Sequence, residues 1–561
     1  MTSRVLEGRF ADPDREPLLG NADVTPPESD TDAGEVAYER MKNKRNSDGG
    51  DGRNALSFEE AVEQAGFGLF HGILLVVCGW ANASDAVEIL CVSFLLPTAR
   101  CDLQLSSSDI GLLTASIFLG MMIGGYVWGY LADQQGRKRV LVISLSVNGV
   151  FGALASLAPS FWLFLLLRFV SGIGVGGSIP VIFSYFSEFQ PRCRRGAMIS
   201  GLATFWMAGN ILAAGLAWLV IPSTGLRFQL GSLDFQSWRL FVVLCSVPSI
   251  SSAFIFGLFM TESPKFLMEA GQEAEAIEVF LKMFTFNNRG SAKAFPWHSL
   301  VLQEPGLPHQ ISGLQSITMC DNEEIVMDTK LHRLTHKLKQ VLSPISKMFI
   351  TPLTSRSIIL FILFFCISFG YYGLWMWFPE LFKRVQNGGS ICSNVSRPSS
   401  TVLPQNDTCY PIKTEVYRDG FITAAANLPG NILSILLMDI VGGKILISCS
   451  LLVSGISVFF IWMVKTKLQS LAMSCVFSAV SVISWNALDV ISTELYPTQL
   501  RSSALGFFTG VGRVAAILGN MVFGQLVDSN CAIPILLVAV LLFSGGLAAT
   551  RLPKTKQIAL T

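Results

Sequence analysis

Long apolar segments alternate with short polar ones along most of the 561-residue chain. A helix needs roughly 20 apolar residues to cross a hydrocarbon core about 30 Å thick, and twelve segments meet that length. The predicted spans are residues 70–95, 109–131, 138–158, 162–186, 197–221, 239–260, 355–381, 420–438, 445–464, 470–491, 502–523 and 532–550. This pattern predicts an all-α membrane protein with twelve transmembrane helices in two six-helix halves.

The charged residues add an orientation to this picture. They make up 14% of the chain, against about 25% in a soluble domain. Lysine and arginine concentrate in alternate loops, which the positive-inside rule places in the cytosol together with both chain ends. The first apolar segment follows about 70 polar residues, which does not fit a cleaved signal peptide. The predicted order is a disordered cytosolic tail (1–69), a six-helix half (70–261), a cytosolic connector (262–354), a second six-helix half (355–550) with a luminal loop (383–419), and a cytosolic tail (551–561).

Two short motifs occur twice with the same spacing. Asp133, Gly136 and Lys138 recur 306 residues later, and so do Glu188, Pro191 and Arg195; the second copies are Asp439, Gly442, Lys444, Glu494, Pro497 and Arg501. Two separate motifs that keep one register indicate a duplication. Repeats of six helices predict parallel halves related by an axis along the membrane normal.

The segment from Gly129 to Arg139 combines small, acidic and basic positions. Gly129 allows close helix packing, Asp133 suits a helix N-terminus, and Arg137 offers a fork for a carboxylate. The segment resembles the signature loop between helices 2 and 3 of major facilitators, which implies a latch that closes the cytosolic side. The residues of this predicted cytosolic gate are Gly129, Asp133, Gly136, Arg137, Glu188, Arg195, Asp439, Glu494 and Arg501.

An alternative is that these charges only set the topology of the chain. The second copy of the motif is also incomplete, because Gly443 stands where Arg137 stands in the first copy. The second half of the latch is therefore predicted to be weaker.

Charged residues inside the predicted spans are costly and need a partner, a proton or water. Asp85 and Glu88 lie three residues apart, and so on one face of the first helix, which suits a proton-coupling site. The alternative is a buried polar network that only fixes helix packing. Arg168 in the fourth span either pairs with an acid or extends its guanidinium to the membrane surface.

Several aromatic and polar residues fall at similar depth on four different spans. Aromatic faces beside a few polar groups suit sugars or flat heterocycles, and together with carboxylates they suit cations. Aromatics in membranes also serve in packing or at the interface. The predicted cavity residues are Trp206, Tyr371, Tyr372, Trp375, Trp485, Asn486 and Asp489.

The loop 383–419 and the N-terminal tail carry signals of modification and sorting. Asn394 and Asn406 occupy N-glycosylation sequons. Cys392 and Cys409 flank them, either as a disulfide, which persists in a lumen or cell exterior, or as free thiols. In the tail, an acidic dileucine pattern ends at Leu18 and Leu19 and predicts recognition by clathrin adaptors.

Six strings in the chain resemble the synaptic vesicle glycoprotein 2 family: residues 66–70, 85–88, 178–188, 371–374, 428–431 and 485–491. The resemblance implies a vesicle membrane protein, glycosylated on its luminal face, that binds small molecules in a central cavity. It assigns five positions to that cavity, Trp206, Tyr372, Trp485, Asn486 and Asp489, and it matches Asp85 and Glu88 to an acidic pair. The family's long luminal domain between helices 7 and 8 is replaced here by 383–419, so toxin binding is not expected. The N-terminal tail shows no match to the family, so synaptotagmin binding is not expected either.

The sequence thus predicts a vesicular transporter of a small polar organic solute, a sugar or an organic cation, with proton coupling and alternating access. The alternative is a vesicle-membrane binding or trafficking protein that retains the transporter fold without turnover. The five histidines form no metal or catalytic pattern, so no enzyme activity, cofactor, metal or nucleic-acid partner is predicted. A monomer in a synaptic, secretory or endolysosomal vesicle membrane is expected.

Overall fold

The computed structural model describes residues 58–223, 228–230, 233–288, 346, 348–351, 353–388, 413–463, 466–496 and 498–553. These residues form helices and one short antiparallel hairpin, β1 (Phe228–Leu230) with β2 (Leu233–Phe235). The helices are α1 Phe58–Gln64, α2 Leu69–Asp102, α3 Ser107–Gln135, α4 Arg137–Ala155, α5 Phe161–Glu188, α6 Arg192–Val220, α7 Ser237–Phe259, α8 Pro264–Glu269, α9 Glu273–Asn287, α10 Thr354–Trp375, α11 Phe378–Gly388, α12 Thr414–Ala425, α13 Asn427–Val441, α14 Gly443–Met463, α15 Lys467–Glu494, α16 Thr498–Leu526 and α17 Ala532–Ala549.

The twelve predicted spans are confirmed, since twelve helical segments are long and apolar enough to cross a membrane. They are α2 to α7 in the first half, and α10, the pair α12–α13, and α14 to α17 in the second. The seventh span is shorter than predicted. It ends at Trp375, and α11 follows as a separate helix whose Glu380, Lys383 and Arg384 do not suit a hydrocarbon core.

The helices of the first half pack closely where they carry glycine. A Cβ atom on Gly124 of α3 would lie 2.1 Å from the backbone oxygen of Ile173, and one on Gly176 of α5 would lie 2.2 Å from that of Met121. Glycine is therefore required where α3 and α5 cross, as is common between membrane helices, whose backbones approach through small residues.

The start of α2 and the end of α17 lie on the same side of the bundle, because each half crosses six times; we name this the inner side. Three short helices, α1, α8 and α9, belong to it. Glu59 of α1 is bound by Arg192 and Arg195, at 3.3 and 3.0 Å. From the end of α9, Asn287 donates hydrogen bonds to the carbonyls of Ala65 and Gly66.

The sequence prediction of a disordered tail through residue 69 is therefore wrong for its last part. Ala61 and Val62 of α1 are buried among apolar side chains that include Val279 and Phe280 of α9. This apolar contact, together with the ion pairs of Glu59, stabilises α1 in a way that the local composition does not show.

The two halves meet on the opposite, outer side. Ser93 donates a hydrogen bond to the carbonyl of Met376 at 2.7 Å, and the hydroxyls of Thr98 and Tyr417 lie 2.5 Å apart. Arg100 reaches across to Glu380 at 3.0 Å. Among the described residues, no hydrogen bond or ion pair joins the inner ends of the halves. Because these contacts close the outer side while Asp489, deep inside the bundle, is exposed, the space between the halves opens towards the inner side.

Candidate functional site

Three predicted cavity residues lie on one side of α15, because Trp485 and Asn486 are four and three residues before Asp489. Asn486 donates to the side-chain oxygen of Asn431 at 2.7 Å, and Asn431 donates to the hydroxyl of Thr204 at 3.2 Å. Since Thr204 belongs to α6, this chain of hydrogen bonds links the two halves at mid-membrane depth. The face of α15 that carries these residues therefore looks onto the space between the halves.

Asp489 is exposed in that space. Within the described part of the chain its carboxylate accepts no hydrogen bond and forms no ion pair. The hydrogen bond at this residue involves the backbone, from the hydroxyl of Ser492 to the carbonyl oxygen of Asp489. A carboxylate inside a membrane bundle must pair, take up a proton or face water. Because Asp489 faces the open space between the halves, its carboxylate can be exposed to water.

An aromatic wall from α10 stands beside α15. The ring of Trp485 lies 6.3 Å from Tyr371 and 5.9 Å from Tyr372 between centroids. Tyr371 stacks on Trp375 at 5.2 Å, and Tyr372 contacts Phe118 of the first half at 4.9 Å. The structure thus brings four of the five predicted aromatics together.

The members of this wall differ in exposure. Tyr372 and Trp485 are half-buried, whereas Tyr371 and Trp375 are almost fully buried and support them from behind. The fifth predicted aromatic, Trp206 on α6, is half-buried and forms no ring pair with the described aromatics. A solute in the central space would therefore meet Tyr372 and Trp485 first.

Asp85 and Glu88 lie elsewhere, buried within the first half at 0% and 1% exposure. Asp85 accepts hydrogen bonds from the hydroxyl of Ser178 at 2.7 Å and from the side-chain amide of Asn148 at 3.2 Å. Both partners are neutral. The aromatic wall does not surround these acids, because the acids pack against α4 and α5 while the wall belongs to α10 and α15.

Glu88 pairs with the guanidinium of Arg168, which is fully buried, and it also accepts from Ser171 at 2.9 Å. Of the two options left open for Arg168, the structure selects the acid partner. The same hydroxyl lies 3.0 Å from the amide oxygen of Asn148, so that its single proton is shared between these two acceptors. The two acids therefore belong to one continuous buried polar network between α2, α4 and α5.

A further charged residue, Arg513, was missed by the sequence analysis. It is half-buried in α16, and its guanidinium carbon lies 5.9 Å from the ring centroid of Tyr372. The signal was present, since an arginine inside an apolar span carries the same cost that drew attention to Arg168.

Three predicted gate residues of the first half, Asp133, Arg137 and Glu188, lie together on the inner side. Arg137 lies 3.2 Å from Glu188, 3.7 Å from Asp133 and 3.9 Å from Glu269. Glu188 also accepts a hydrogen bond from Ser263. In this open arrangement Arg137 is therefore held by acids of its own half.

Other gate residues do not join this cluster. Arg195 instead pairs with Glu59, and a Cβ atom on Gly129 would meet no atom within 4 Å. In the second half Glu494 is exposed, and the side chains of Asp439 and Arg501 lie outside the described residues.

A helix cap that the sequence did not reveal comes from Glu262. Its carboxylate accepts from the backbone amides of Arg137 and Lys138, both at 2.9 Å. Gly136, which precedes them, has a φ of +96°, a left-handed conformation that favours glycine. Asp133, predicted to cap a helix, instead has a side chain that is 75% exposed.

The outer side carries a cluster of charges. Arg100 lies 3.0 Å from Glu380 and 3.8 Å from Asp528, while Arg384 also binds Asp528. Burial raises the pKa of Asp528, but the neighbouring Ser107 hydroxyl, the hydrogen bond and charge of Arg384, and the charge of Arg100 together outweigh it, so that this pKa lies below its ordinary value. We call Arg100, Glu380, Arg384 and Asp528 the outer ion cluster.

The remaining predictions fall outside the described residues: the sequons at Asn394 and Asn406, the cysteines Cys392 and Cys409, and the dileucine at Leu18 and Leu19. Cys531 is disulfide-bonded. No group of three or more histidine, cysteine or acidic side chains that could hold a metal occurs among the described residues.

Comparison with known proteins identifies relatives of this chain in sequence and in structure. The sequence matches the Major Facilitator Superfamily over residues 72–396 and the Sugar (and other) transporter family over residues 413–561. In structure it resembles the xylose transporter XylE from E. coli in a partially occluded inward open conformation, with a TM-score of 0.59 and 17% identity, over 88% of this chain and 100% of that one. This likeness concerns the fold.

Curated relatives are more similar in sequence. Synaptic vesicle glycoprotein 2C of Rattus norvegicus is 33% identical over 90% of this chain and 81% of its own length. The 2B protein of Homo sapiens is 33% identical, with 90% and 86% covered, and the 2A protein of Rattus norvegicus is 31% identical, with 90% and 79% covered. The chain therefore belongs to the synaptic vesicle glycoprotein 2 family of the major facilitator superfamily, a family of membrane transporters rather than enzymes.

Proposed function

We propose that this protein is a vesicular transporter that carries a small polar organic solute, a sugar or an organic cation, by alternating access and with proton coupling. The solute would bind in the central space between the halves, against Tyr372 and Trp485 and within reach of Asn486 and Asp489. The inner side would be the cytosolic one, as the distribution of lysine and arginine predicts.

One observation carries the proposal: the polar and aromatic face of α15 looks onto a space that is closed on the outer side and open on the inner side. A transporter that alternates between two openings needs a solute site between its halves and a closure on one side at a time. The contacts of Ser93, Thr98 and Arg100 supply the outer closure. The hydrogen bonds from Asn486 through Asn431 to Thr204 link both halves at the depth of the site.

For proton coupling, Asp85 is a better candidate than Glu88. Protonation of Glu88 would strand the fully buried Arg168 without its counter-charge, which is costly in a low-dielectric interior. The partners of Asp85, Ser178 and Asn148, are neutral, so that protonation of Asp85 leaves no cation unpaired. The network through Ser171 and Asn148 connects Asp85 to the Glu88–Arg168 pair.

Uptake by purified protein in proteoliposomes tests the proposal. With an imposed pH gradient, we expect one class in a panel of labelled sugars, organic cations and organic acids to accumulate. Asp85→Asn should abolish gradient-driven accumulation while leaving exchange of labelled for unlabelled solute. Gradient-driven accumulation that persists in the Asp85→Asn, Glu88→Gln double variant would remove the coupling role from these acids.

A second candidate function is a vesicle-membrane binding or trafficking protein that keeps the fold without turnover. The unequal latch favours it, because Arg137 has three acidic neighbours whereas the equivalent position in the second half is Gly443. It predicts stabilisation by a bound solute without flux. One reproducible flux would exclude it.

The location and partners of the protein are part of the same proposal. The relatives are named as synaptic vesicle glycoproteins, and we propose a synaptic, secretory or endolysosomal vesicle membrane for this chain, with both ends cytosolic. Glycosylation at Asn394 and Asn406, a Cys392–Cys409 disulfide, clathrin adaptor binding through Leu18 and Leu19, and a monomeric state remain predictions.

A further inference from the structure

Arg513 occupies a position in which an arginine needs a counter-charge. It lies nine residues inside the span Ala504–Leu526, or about 14 Å at 1.5 Å per residue. An arginine at this depth is costly unless it pairs with an acid or faces a water-filled space. Its side chain is half-buried, which places it at the edge of the protein interior.

Two other arginines of the spans show how the chain meets this need when the role is structural. Arg168 pairs with Glu88, and Arg239 pairs with Asp102 at 2.9 Å. Both arginines are almost fully buried. Arg513 forms no ion pair and no hydrogen bond with the residues that the structure describes; its neighbour is the ring of Tyr372. A ring face attracts the cation but leaves the guanidinium N–H donors without acceptors.

The surroundings of Arg513 coincide with the proposed solute site. Tyr372 contacts Arg513 on one side and Trp485 on another, at 5.9 Å in both cases. Both rings are half-buried and look onto the central space, where an apolar or aromatic part of a solute can lie against them. A carboxylate attached to such a part would fall within reach of the guanidinium, whose planar fork matches a carboxylate with two parallel hydrogen bonds.

We propose that Arg513 binds the carboxylate of the transported solute, so that the substrate class is organic carboxylates with an apolar or aromatic portion. This inference rests on the proposed transport function and replaces the sugar or organic cation considered there. Arg513 is then the residue that determines specificity for charge, and Tyr372 and Trp485 hold the remainder of the solute.

The test uses three nearly isosteric probes that differ in charge: benzoate, benzamide and benzamidinium. Thermal stabilisation of the purified full-length protein is measured against probe concentration. For the wild-type protein, we expect benzoate to reach half-maximal stabilisation at a concentration at least about tenfold lower than benzamide does. The reason is that benzoate forms a charge-assisted hydrogen-bonded pair with the guanidinium, whereas benzamide does not. Arg513→Gln should bring this ratio close to one, and Arg513→Lys should restore part of it.

Asp489→Asn is the matched control, since it removes the other unpaired charge of the site. It should keep the preference for benzoate over benzamide and weaken benzamidinium instead. An equal ratio in the wild type and Arg513→Gln, or no stabilisation of the wild type by benzoate, overturns the inference.

A measurement on the wild-type protein removes any dependence on whether Arg513→Gln folds. Phenylglyoxal modifies arginine side chains, and the peptide that contains Arg513 can be quantified by mass spectrometry. Benzoate should slow modification of Arg513 at least about fivefold, and benzamide at the same concentration should not, because the pair is charge-assisted. Equal protection by both probes, or by neither, overturns the inference.

The failure of this inference and the failure of the proposed function are distinguishable. Benzoate selectivity that depends on Arg513, combined with no flux of any solute in proteoliposomes, would leave the carboxylate site in place and remove transport. Flux of a sugar or an organic cation that is unchanged in Arg513→Gln would confirm transport and remove the carboxylate site.

Discussion

Replacement of Arg100 by glutamine tests what holds the outer side closed. Arg100 belongs to the first half, and its two acidic neighbours, Glu380 and Asp528, belong to the second, at 3.0 and 3.8 Å. Loss of the guanidinium therefore removes attractions between the halves without cutting a helix or opening a cavity in the core. We expect the equilibrium to shift towards the state that opens on the outer side.

The size of the shift follows from the burial of the pair. The side chain of Glu380 is 4% exposed and that of Arg100 is 28% exposed. Exposed ion pairs contribute about 0.2–1 kcal/mol, and removal of one partner from a buried pair costs about 3–5 kcal/mol. Glu380 keeps Arg384 at 3.6 Å and Lys383 at 4.0 Å, so it is not stranded. We therefore expect about 1.4 kcal/mol, a tenfold change in the equilibrium.

Thiol labelling reads out this equilibrium. Ser93 is 1% exposed and lies at the contact between the halves. A cysteine introduced there reacts with a membrane-impermeant reagent from the outer side at a rate proportional to the fraction of open protein. Ser93→Cys combined with Arg100→Gln should react about tenfold faster than Ser93→Cys alone, as quantified on the peptide that contains the new cysteine.

Arg384→Gln provides the matched control. Arg384 donates to the carbonyl of Val527 at 2.9 Å and binds Asp528 and Glu380, all within the second half. Its loss should change the labelling rate less than twofold. An unchanged rate in Arg100→Gln, or an equal increase in Arg384→Gln, would refute the assignment of the outer closure to Arg100.

Three further predictions concern stability and pH. Glu88→Gln should lower the free energy of unfolding, measured in detergent, by about 3–5 kcal/mol, because it leaves the buried Arg168 without its counter-charge. In the Glu88→Gln, Arg168→Gln double variant, the loss of stability should be smaller than the sum of the two single losses. Gly176→Ala should destabilise by about 1–3 kcal/mol through overpacking, whereas Gly129→Ala, with open space around it, should leave the unfolding midpoint unchanged. The pKa of Asp528 is lowered, so its contribution to closure is present above the ordinary pKa and is lost only as pH falls through the lowered pKa. Acidification of the outer side from pH 7 to 5 should therefore leave the ion pairs of Asp528 intact and change the labelling rate less than twofold.

Local pattern was sufficient to predict the spans and the repeat. Helix length and apolarity follow from the thickness of the membrane, so the spans could be located without knowledge of their neighbours. The repeated motif also has a structural counterpart, because Gly136 and Gly442 both adopt a left-handed φ, +96° and +88°. The same turn therefore precedes α4 in the first half and α14 in the second.

Contacts between helices could not be predicted in this way. The sequence indicated that Glu88 and Arg168 each need a partner, but they are 80 residues apart, and only the packing of α2 against α5 brings them together. The outer ion cluster is similar, since Arg100 and Glu380 are separated by 280 residues. Spacing along one helix shows which residues share a face of that helix. Which other helix that face contacts depends on the tertiary arrangement.

Arg513 is a different kind of omission, because the rule that identified Arg168 applies to it equally. The repeated motifs point to Arg501, whose position matches Arg195, and not to Arg513 further along the same helix. The distinction between the two intramembrane arginines nevertheless required the structure. Arg168 has Glu88, whereas Arg513 has the ring of Tyr372, and that difference separates a packing role from a binding role.

The unequal halves have a consequence for how the inner side closes. Arg137 is already bound by Glu188, and the helix that it begins is capped by Glu262, so the first half carries a latch that is formed before closure. Asp133 lies 3.7 Å from Arg137 but remains 75% exposed, and we expect it to reach a helix N-terminus of the second half on closure, where a carboxylate is stabilised. Gly443 offers no side chain for a reciprocal contact. We therefore expect closure of the inner side to depend on the latch of the first half more than on that of the second.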